Sequence, residues 1–318
     1  MIEENKINSD NLDKFVEEDI KDSATREVKT FLHDKNIAIS VSECEDIEEL
    51  GFSKIHQQDI ILELTRYLII NGATLIYGGD LRAQGYTFMF SEIVEQYIYK
   101  KENKKYYKNF FSFPIYLDMT QKHRLDFKKN GIKVIQVEPP ETLDVDPNQF
   151  YIPNNNENIL IWTESLTKMR KEMNVDSHAR IFMGGTRTNF KGKYPGIFEE
   201  ALISLESGVP TYFIGAFGGI TKSIISALLN EKPEELTEEW QRKANIKYSE
   251  FINFYNVKND IEKIDYAKNL EFLNKFTIEK LCKNNGLDED DNKRLFETIH
   301  LPEIIYLILK GLKKILNY

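Results

Sequence analysis

Two hydrophobic periods alternate along the chain. From Ile37 onward, short β-branched runs are each followed by a stretch of helical period, the mark of a parallel sheet with crossover helices. The runs lie at residues 37–41, 74–77, 113–117, 133–137, 179–183 and 211–214, and predict a six-strand open sheet. Between them, Ile60, Ile61, Leu64, Tyr67 and Leu68 fall on one helical face, as do Ile197, Ala201, Leu202 and Leu205. Both helices run into small-residue turns, Asn71-Gly72-Ala73 and Ser207-Gly208-Val209-Pro210, which suit a helix C-terminus followed by a strand. The stretch 138–157, rich in Pro, Asn and Asp, lacks a period and reads as a surface connection.

After Gly219 the pattern is mainly helical, with helices expected over 223–229, 234–246, 271–282 and 302–316; residues 288–312 read as a terminal pair packed back on the sheet. The first 35 residues are charge-rich with scattered apolar positions (Val16, Ile20, Val28, Phe31, Leu32) and predict a loose leader with one short helix. The expected architecture is α/β and Rossmann-like: a mostly parallel sheet sandwiched by helices over 36–230, a leader over 1–35, and a helical part over 231–318 packed on the same domain.

Composition narrows the function. A length of 318 residues with 41% hydrophobic content supports a real core. A formal charge of -9 argues against general nucleic-acid binding, which needs a basic face. No apolar run reaches membrane-span length, and the acidic N-terminus differs from a signal peptide, so a cytoplasmic location is expected. Cys44 and Cys282 form no CxxC and have no histidine at ligand spacing. Neither a metal site nor a cofactor is expected, and both thiols read as reduced. The five histidines do not cluster, and no Gly-x-Ser-x-Gly elbow is present.

The candidate chemistry sits where strands end. The run 74–77 leads into Gly78-Gly79-Asp80-Leu81-Arg82, with Thr87 ahead of a helical run over 88–99. Glycines at the carboxyl end of a parallel strand let backbone N–H groups approach an anion, and Arg82 and Thr87 are natural phosphate donors. The same glycines also suit a tight turn with no ligand. The arrangement recurs at Gly184-Gly185-Thr186-Arg187 and, after the next strand, at Gly215-Ala216-Phe217-Gly218-Gly219. Three such loops on one sheet edge converge where α/β proteins bind ligands. Between the last two, a polar loop carrying Arg187, Lys191 and Lys193 leads to Pro195-Gly196, and the first turn of the following helix holds Glu199 and Glu200. Adjacent helical residues point about 100° apart, so only one of these carboxylates faces the ligand. The other complements the helix dipole.

Upstream, Met169-Arg170-Lys171 lies on a helix before the strand that ends in Gly184. The order of Met-Arg-Lys helix, strand, glycine turn, Pro-Gly and paired Glu resembles the SLOG superfamily, which includes DprA-like proteins, LOG phosphoribohydrolases and nucleotide-sensing domains. In LOG enzymes the pattern is a Met-x-x-Arg-Lys helix and Pro-Gly-Gly-x-Gly-Thr-x-x-Glu. Here Arg170-Lys171 and Gly196-Ile197-Phe198-Glu199-Glu200 match, and the resemblance puts the family's catalytic arginine and glutamate on Arg170 and Glu200. It covers about residues 37–229. The chain departs from the pattern by an insert at 187–194, by Ile197 in place of threonine, and by Met169 directly before Arg170.

The resemblance implies a nucleotide-derived small molecule as ligand, Ser40 and Ser42 lining the first loop, homo-oligomeric assembly, and a sensing role in a bacterial antiphage system with an effector protein encoded nearby. The alternative it implies is an N-glycosidic-bond hydrolase or transferase using Arg170 and Glu200. A structural protein with a vestigial pocket is the third reading. The cations of the insert point to a larger or more highly charged ligand than a nucleoside monophosphate.

Overall fold

The computed structural model describes residues 30–97, 106–259 and 262–316. Of the leader with one short helix expected over residues 1–35, residues 1–29 lie outside the described residues and residues 31–34 form a turn; the end of the helical run expected to residue 99 also lies outside them. Six parallel strands, β1 (Asn36–Ser42), β2 (Thr74–Gly78), β3 (Tyr107–Ser112), β4 (Lys133–Val137), β5 (Ala179–Gly184) and β6 (Thr211–Ile214), form one sheet in the order β4-β3-β2-β1-β5-β6. The chain runs outward from β1 to β4, then crosses back to place β5 on the other side of β1. Strand order therefore reverses between β1 and β5, and loops leave the carboxyl edge in opposite directions there. That divergence opens a crevice.

Side-chain alternation assigns each face of the sheet to its own helices. Ile37, Ile39 and Val41 of β1 and Ala179, Ile181 and Met183 of β5 share one apolar cluster with Ile61 and Leu64 of α1 (Lys54–Ile70) and Phe90 of α2 (Tyr86–Tyr97). On the opposite pleat, Ala38 packs with Met169 and Met173, and Phe182 packs with Phe198 and Leu202. Six further helices complete the part of the chain up to the last strand and just beyond it. They are α3 (Phe113–Leu117), α4 (Gln121–Lys129), α5 (Asn156–Val175), α6 (Gly196–Glu206), α7 (Gly219–Leu228) and α8 (Glu238–Ala244). The remaining helices are α9 (Ile246–Lys258), α10 (Tyr266–Lys275), α11 (Ile278–Asn285), α12 (Glu289–Glu297) and α13 (Leu301–Ile315). Ile304, Leu307, Ile308 and Leu312 of α13 fall in the same cluster as β1 and α1. No helix among the described residues is long and apolar enough to cross a membrane.

Three local expectations are corrected. The run 113–117 is a short helix, and the strand is the preceding Tyr107–Ser112. Pro114 explains this, because β3 lies between β2 and β4 and a proline has no N–H to give the ladder, whereas it suits the first turn of a helix. The segment 271–282 is two helices, broken at Thr277, whose φ of 25° leaves the helical region and whose hydroxyl caps α11. Tyr67 is half-exposed and leaves the apolar face of α1.

The β5 and β6 loops cross in close contact, and this fixes the carboxyl edge. Gly219 has φ 66°, and a methyl group there would lie 2.6 Å from the backbone of both Gly184 and Gly185. Gly208, by contrast, has φ 73° but open space around it. Gly208→Ala therefore carries only the left-handed backbone cost of about 1–2 kcal/mol. Gly219→Ala adds overlap with backbone and is expected to destabilise the fold by about 3 kcal/mol or more in urea unfolding. Equal losses at the two positions would contradict the close-packed crossing.

Candidate functional site

A cleft of about 220 Å³ opens at the carboxyl end of β1, between the β2 and β5 loops. Its walls bring together Ser40 and Ser42 of β1, Gly78, Asp80 and Arg82 of the β2 loop, Arg170 of α5, Thr186 and Phe190 of the β5 loop, and Gly196 and Glu200 of α6. These residues span the sequence from position 40 to position 200. The switch in strand order is what makes them neighbours.

The cleft floor is an ionic network. Arg180, the second residue of β5, has no solvent exposure and shares its pleat with Ala38, its register partner on β1. That pleat faces α6, so the Arg180 guanidinium meets Glu200, with Nη1 3.1 Å from Oε2. Burial pulls the Arg180 pKa down, and the Glu200 carboxylate pushes it the other way. The Ser40 hydroxyl donates to the same Glu200 Oε2. The other carboxylate oxygen, Oε1, lies 3.6 Å from Arg170 Nε. That Nε is buried and has no hydrogen-bond partner.

Glu199 and Glu200 divide the work as their helical angle requires. Glu199 is buried away from the cleft, where it takes a hydrogen bond from Thr167 at 2.5 Å and an ion pair from Arg170 Nη1. Arg170 is thus held by Glu199 at one end while its Nε stays beside Glu200. Small residues make room for it, since a methyl group at Gly192 would lie 2.8 Å from Nη1 and one at Gly196 3.0 Å from Nη2.

Other residues singled out in the sequence have structural partners outside the cleft. Gly79 is pressed against the Phe111 ring, and Thr87 is fully buried, accepting from the Asp80 amide at 3.0 Å. Gly184, Gly185, Gly218 and Gly219 form the loop crossing, and Gly215 packs on Ile225 and Phe296. Phe217 is buried against Phe52 at 5.2 Å. Arg187 pairs with Asp46 at 2.5 Å, and Asp46 also accepts from the Gly219 amide at 2.9 Å. A carboxylate of the chain itself therefore sits at the N-terminus of α7, where a helix favours negative charge. Lys193 is buried between Glu164 (3.4 Å) and Glu262 (3.1 Å). Arg82 does line the cleft but is tied to Asp80 at 2.8 Å. The Cys44 thiol donates to the Phe217 carbonyl at 3.0 Å, and burial, reinforced by Asp46, pushes its pKa up to about 12. A thiol in that state is a poor nucleophile.

Phe190, which lines the cleft, and Arg180, buried behind Glu200, are elements of the site that the sequence reading missed. A cation inside an otherwise apolar strand, Ala-Arg-Ile-Phe-Met, was the available signal for Arg180. Its partner could not be read, because the register that sets it under α6 is made by residues far apart in the chain.

A family model described as SLOG cluster2 matches residues 31–295. No curated protein matches the chain.

The Arg180–Glu200 pair is expected to be strongly coupled. Arg180→Met leaves Glu200 short of a buried partner and should cost about 3–5 kcal/mol. Adding Glu200→Gln should return about 1–3 kcal/mol of that loss in a double-mutant cycle by urea unfolding. Additive losses would mean that the two charges do not depend on each other.

Proposed function

The chain belongs to the SLOG cluster2 family, and on that premise we propose that it binds a nucleotide-derived ligand, of the NAD or ADP-ribose kind, in the cleft at the carboxyl edge of its sheet. The observation that carries this reading is the pairing of Glu200 Oε1 with Arg170 Nε, 3.6 Å apart. Glu200 Oε2 is already engaged by Ser40 and Arg180. What remains is one acceptor beside a buried donor that has no hydrogen-bond partner, as Nε and Nη2 of Arg180 in the same network also have none, and of these donors Arg170 Nε is the one on a residue that lines the cleft. A hydroxyl both donates and accepts, so a ribose hydroxyl that approaches the pair from the cleft, with a small shift of the Arg170 side chain to uncover Nε, would bridge the two and complete both groups. Backbone at Gly78 and Thr186, with Arg82, forms the wall that takes the phosphate.

Arg187 and Lys193 are committed to carboxylates of the chain and are assigned no phosphate. The finer parts of the proposal rest on the resemblance: a sensing role in a bacterial conflict system, an effector protein as reader of the bound state, and homo-oligomeric assembly. The held carboxylate favours sensing, since a group locked by a serine and an arginine serves as a fixed acceptor.

One observation favours the alternative of N-glycosidic cleavage: Arg170 and Glu200 line the same cleft, with Oε1 3.6 Å from Nε. There, Glu200 would stabilise oxocarbenium-like charge on the ribose and Arg170 would orient it.

The two readings part in one assay. AMP, NAD and ADP-ribose are incubated with the protein, base release is followed by chromatography, and thermal shifts are recorded in parallel. Expected is a shift of several degrees with NAD or ADP-ribose recovered intact, reduced at least tenfold in apparent affinity by Glu200→Gln. Base release abolished by Glu200→Gln would replace sensing with hydrolysis. No shift with any of the three would overturn the binding reading.

A further inference from the structure

The cleft is small for the ligand class just proposed: about 220 Å³, against the roughly 300–1,000 Å³ of ordinary small-molecule sites. A second cavity, of about 530 Å³, lies on the other side of the β5 loop. Phe190 lines both. Gly192, one of the second cavity's walls, is one of the two glycines at which an added methyl group would press on Arg170. The loop 189–192 is therefore a thin partition between two compartments.

The second compartment has its own chemistry. Trp162, Phe190, Tyr248 and Phe251 supply aromatic walls, with Phe190 set edge-on to Tyr248 at 4.7 Å. Lys191 and Lys247 also line it, Lys191 with its ammonium 4.3 Å from the centre of the Trp162 ring. The lining contains no acidic residue, in a chain whose formal charge is -9. By contrast, the polar cavity around Lys193 mixes Lys171 and Lys268 with Glu206 and Glu262, so its charges are balanced internally.

The partition is held in place. The Asn189 amide donates to Asn245 at 3.0 Å, Thr163 donates to the Lys191 carbonyl at 3.1 Å, and the Tyr248 hydroxyl donates to the Lys193 carbonyl. A cavity built this way loses little ordering entropy when it is filled.

We infer that the ligand is of dinucleotide size and straddles Phe190: one ribose sits in the Glu200 cleft, the diphosphate runs from the Gly78 and Thr186 wall past Phe190 toward Lys191 and Lys247, and the second nucleoside sits in the aromatic compartment with its base against Trp162 and Tyr248. Aromatic walls suit a planar base, and two unopposed lysines suit the phosphate that joins the halves. The inference rests on the binding reading above and gives it a ligand size. It also gives the insert at 187–194 a role, that of dividing one long site.

The test is isothermal titration with ADP-ribose as probe, on the wild-type chain and on Ala244→Trp, Lys191→Glu/Lys247→Glu and Glu200→Gln. Ala244 is an exposed residue on the rim, so tryptophan there fills the compartment without entering the core. Melting temperatures check that each variant folds: Ala244→Trp and the double lysine variant should melt with the wild type, whereas Glu200→Gln, which leaves Arg180 without its counter-charge, should melt lower but still cooperatively. Ala244→Trp and the double lysine variant are each expected to weaken ADP-ribose about tenfold. A loss under threefold in both, while Glu200→Gln still weakens binding, overturns the inference and leaves the cleft reading standing. Absence of ADP-ribose binding by the wild-type chain overturns both.

Discussion

A guanidinium buried in the middle of a sheet needs a counter-charge, and that requirement organises the carboxyl edge of this protein. Arg180 has no solvent exposure, so the chain must bring a carboxylate to it or lose several kcal/mol. Glu200 meets the requirement from the first turns of α6 and is fixed in doing so. Ser40 adds a hydrogen bond from β1, which ties together the two strands flanking the switch point. Arg170 arrives from α5 and is anchored by Glu199. The result is two arginines and two glutamates whose charges cancel, with Glu200 Oε1 and Arg170 Nε placed side by side at the cleft. The cleft is polar because its floor must be, and rigid because each member of the network restrains the next.

Much of this was legible in the chain. Five of the six strands follow from β-branched runs bounded by glycine or helix ends, because a strand covered on both faces needs little but apolar side chains. The third strand was missed for a physical reason: Tyr107–Ser112 carries Lys108, Asn109 and Ser112, while the more apolar segment after it holds a proline that no interior strand accepts. At the site, Ser40, Gly78, Arg82, Arg170, Gly196 and Glu200 were readable from strand ends and from the resemblance. Arg187, Lys193 and Phe217 were readable as residues near the edge but not as ones already engaged, because their partners Asp46, Glu164 and Phe52 are distant in sequence. Residue type tells what a group can do. Only the register and the crossing of loops tell what it is already doing.

The same logic sorts the glycines. All three glycine-rich loops do reach one edge, yet the two pairs at 184–185 and 218–219 serve first to let two loops cross, and a carboxylate of the chain, Asp46, takes the helix N-terminus beside them. The open cleft lies instead toward β1 and β2, where Ser40, Gly78 and Thr186 line it together with Glu200 and Arg170, and Phe190 separates it from the aromatic compartment beyond.

On the proposed reading the Arg170 Nε–H takes up a ligand hydroxyl, and the arginine side-chain Nε–Hε resonances of the ¹⁵N-labelled protein, with the Arg170 signal assigned from Arg170→Lys, report on it most directly during titration with ADP-ribose. The Arg170 resonance should move and saturate with the ligand while that of Arg242, whose Nε–H already donates to Glu238, stays in place. Movement at Arg187 with Arg170 unchanged would put the ligand at the loop crossing and contradict that reading.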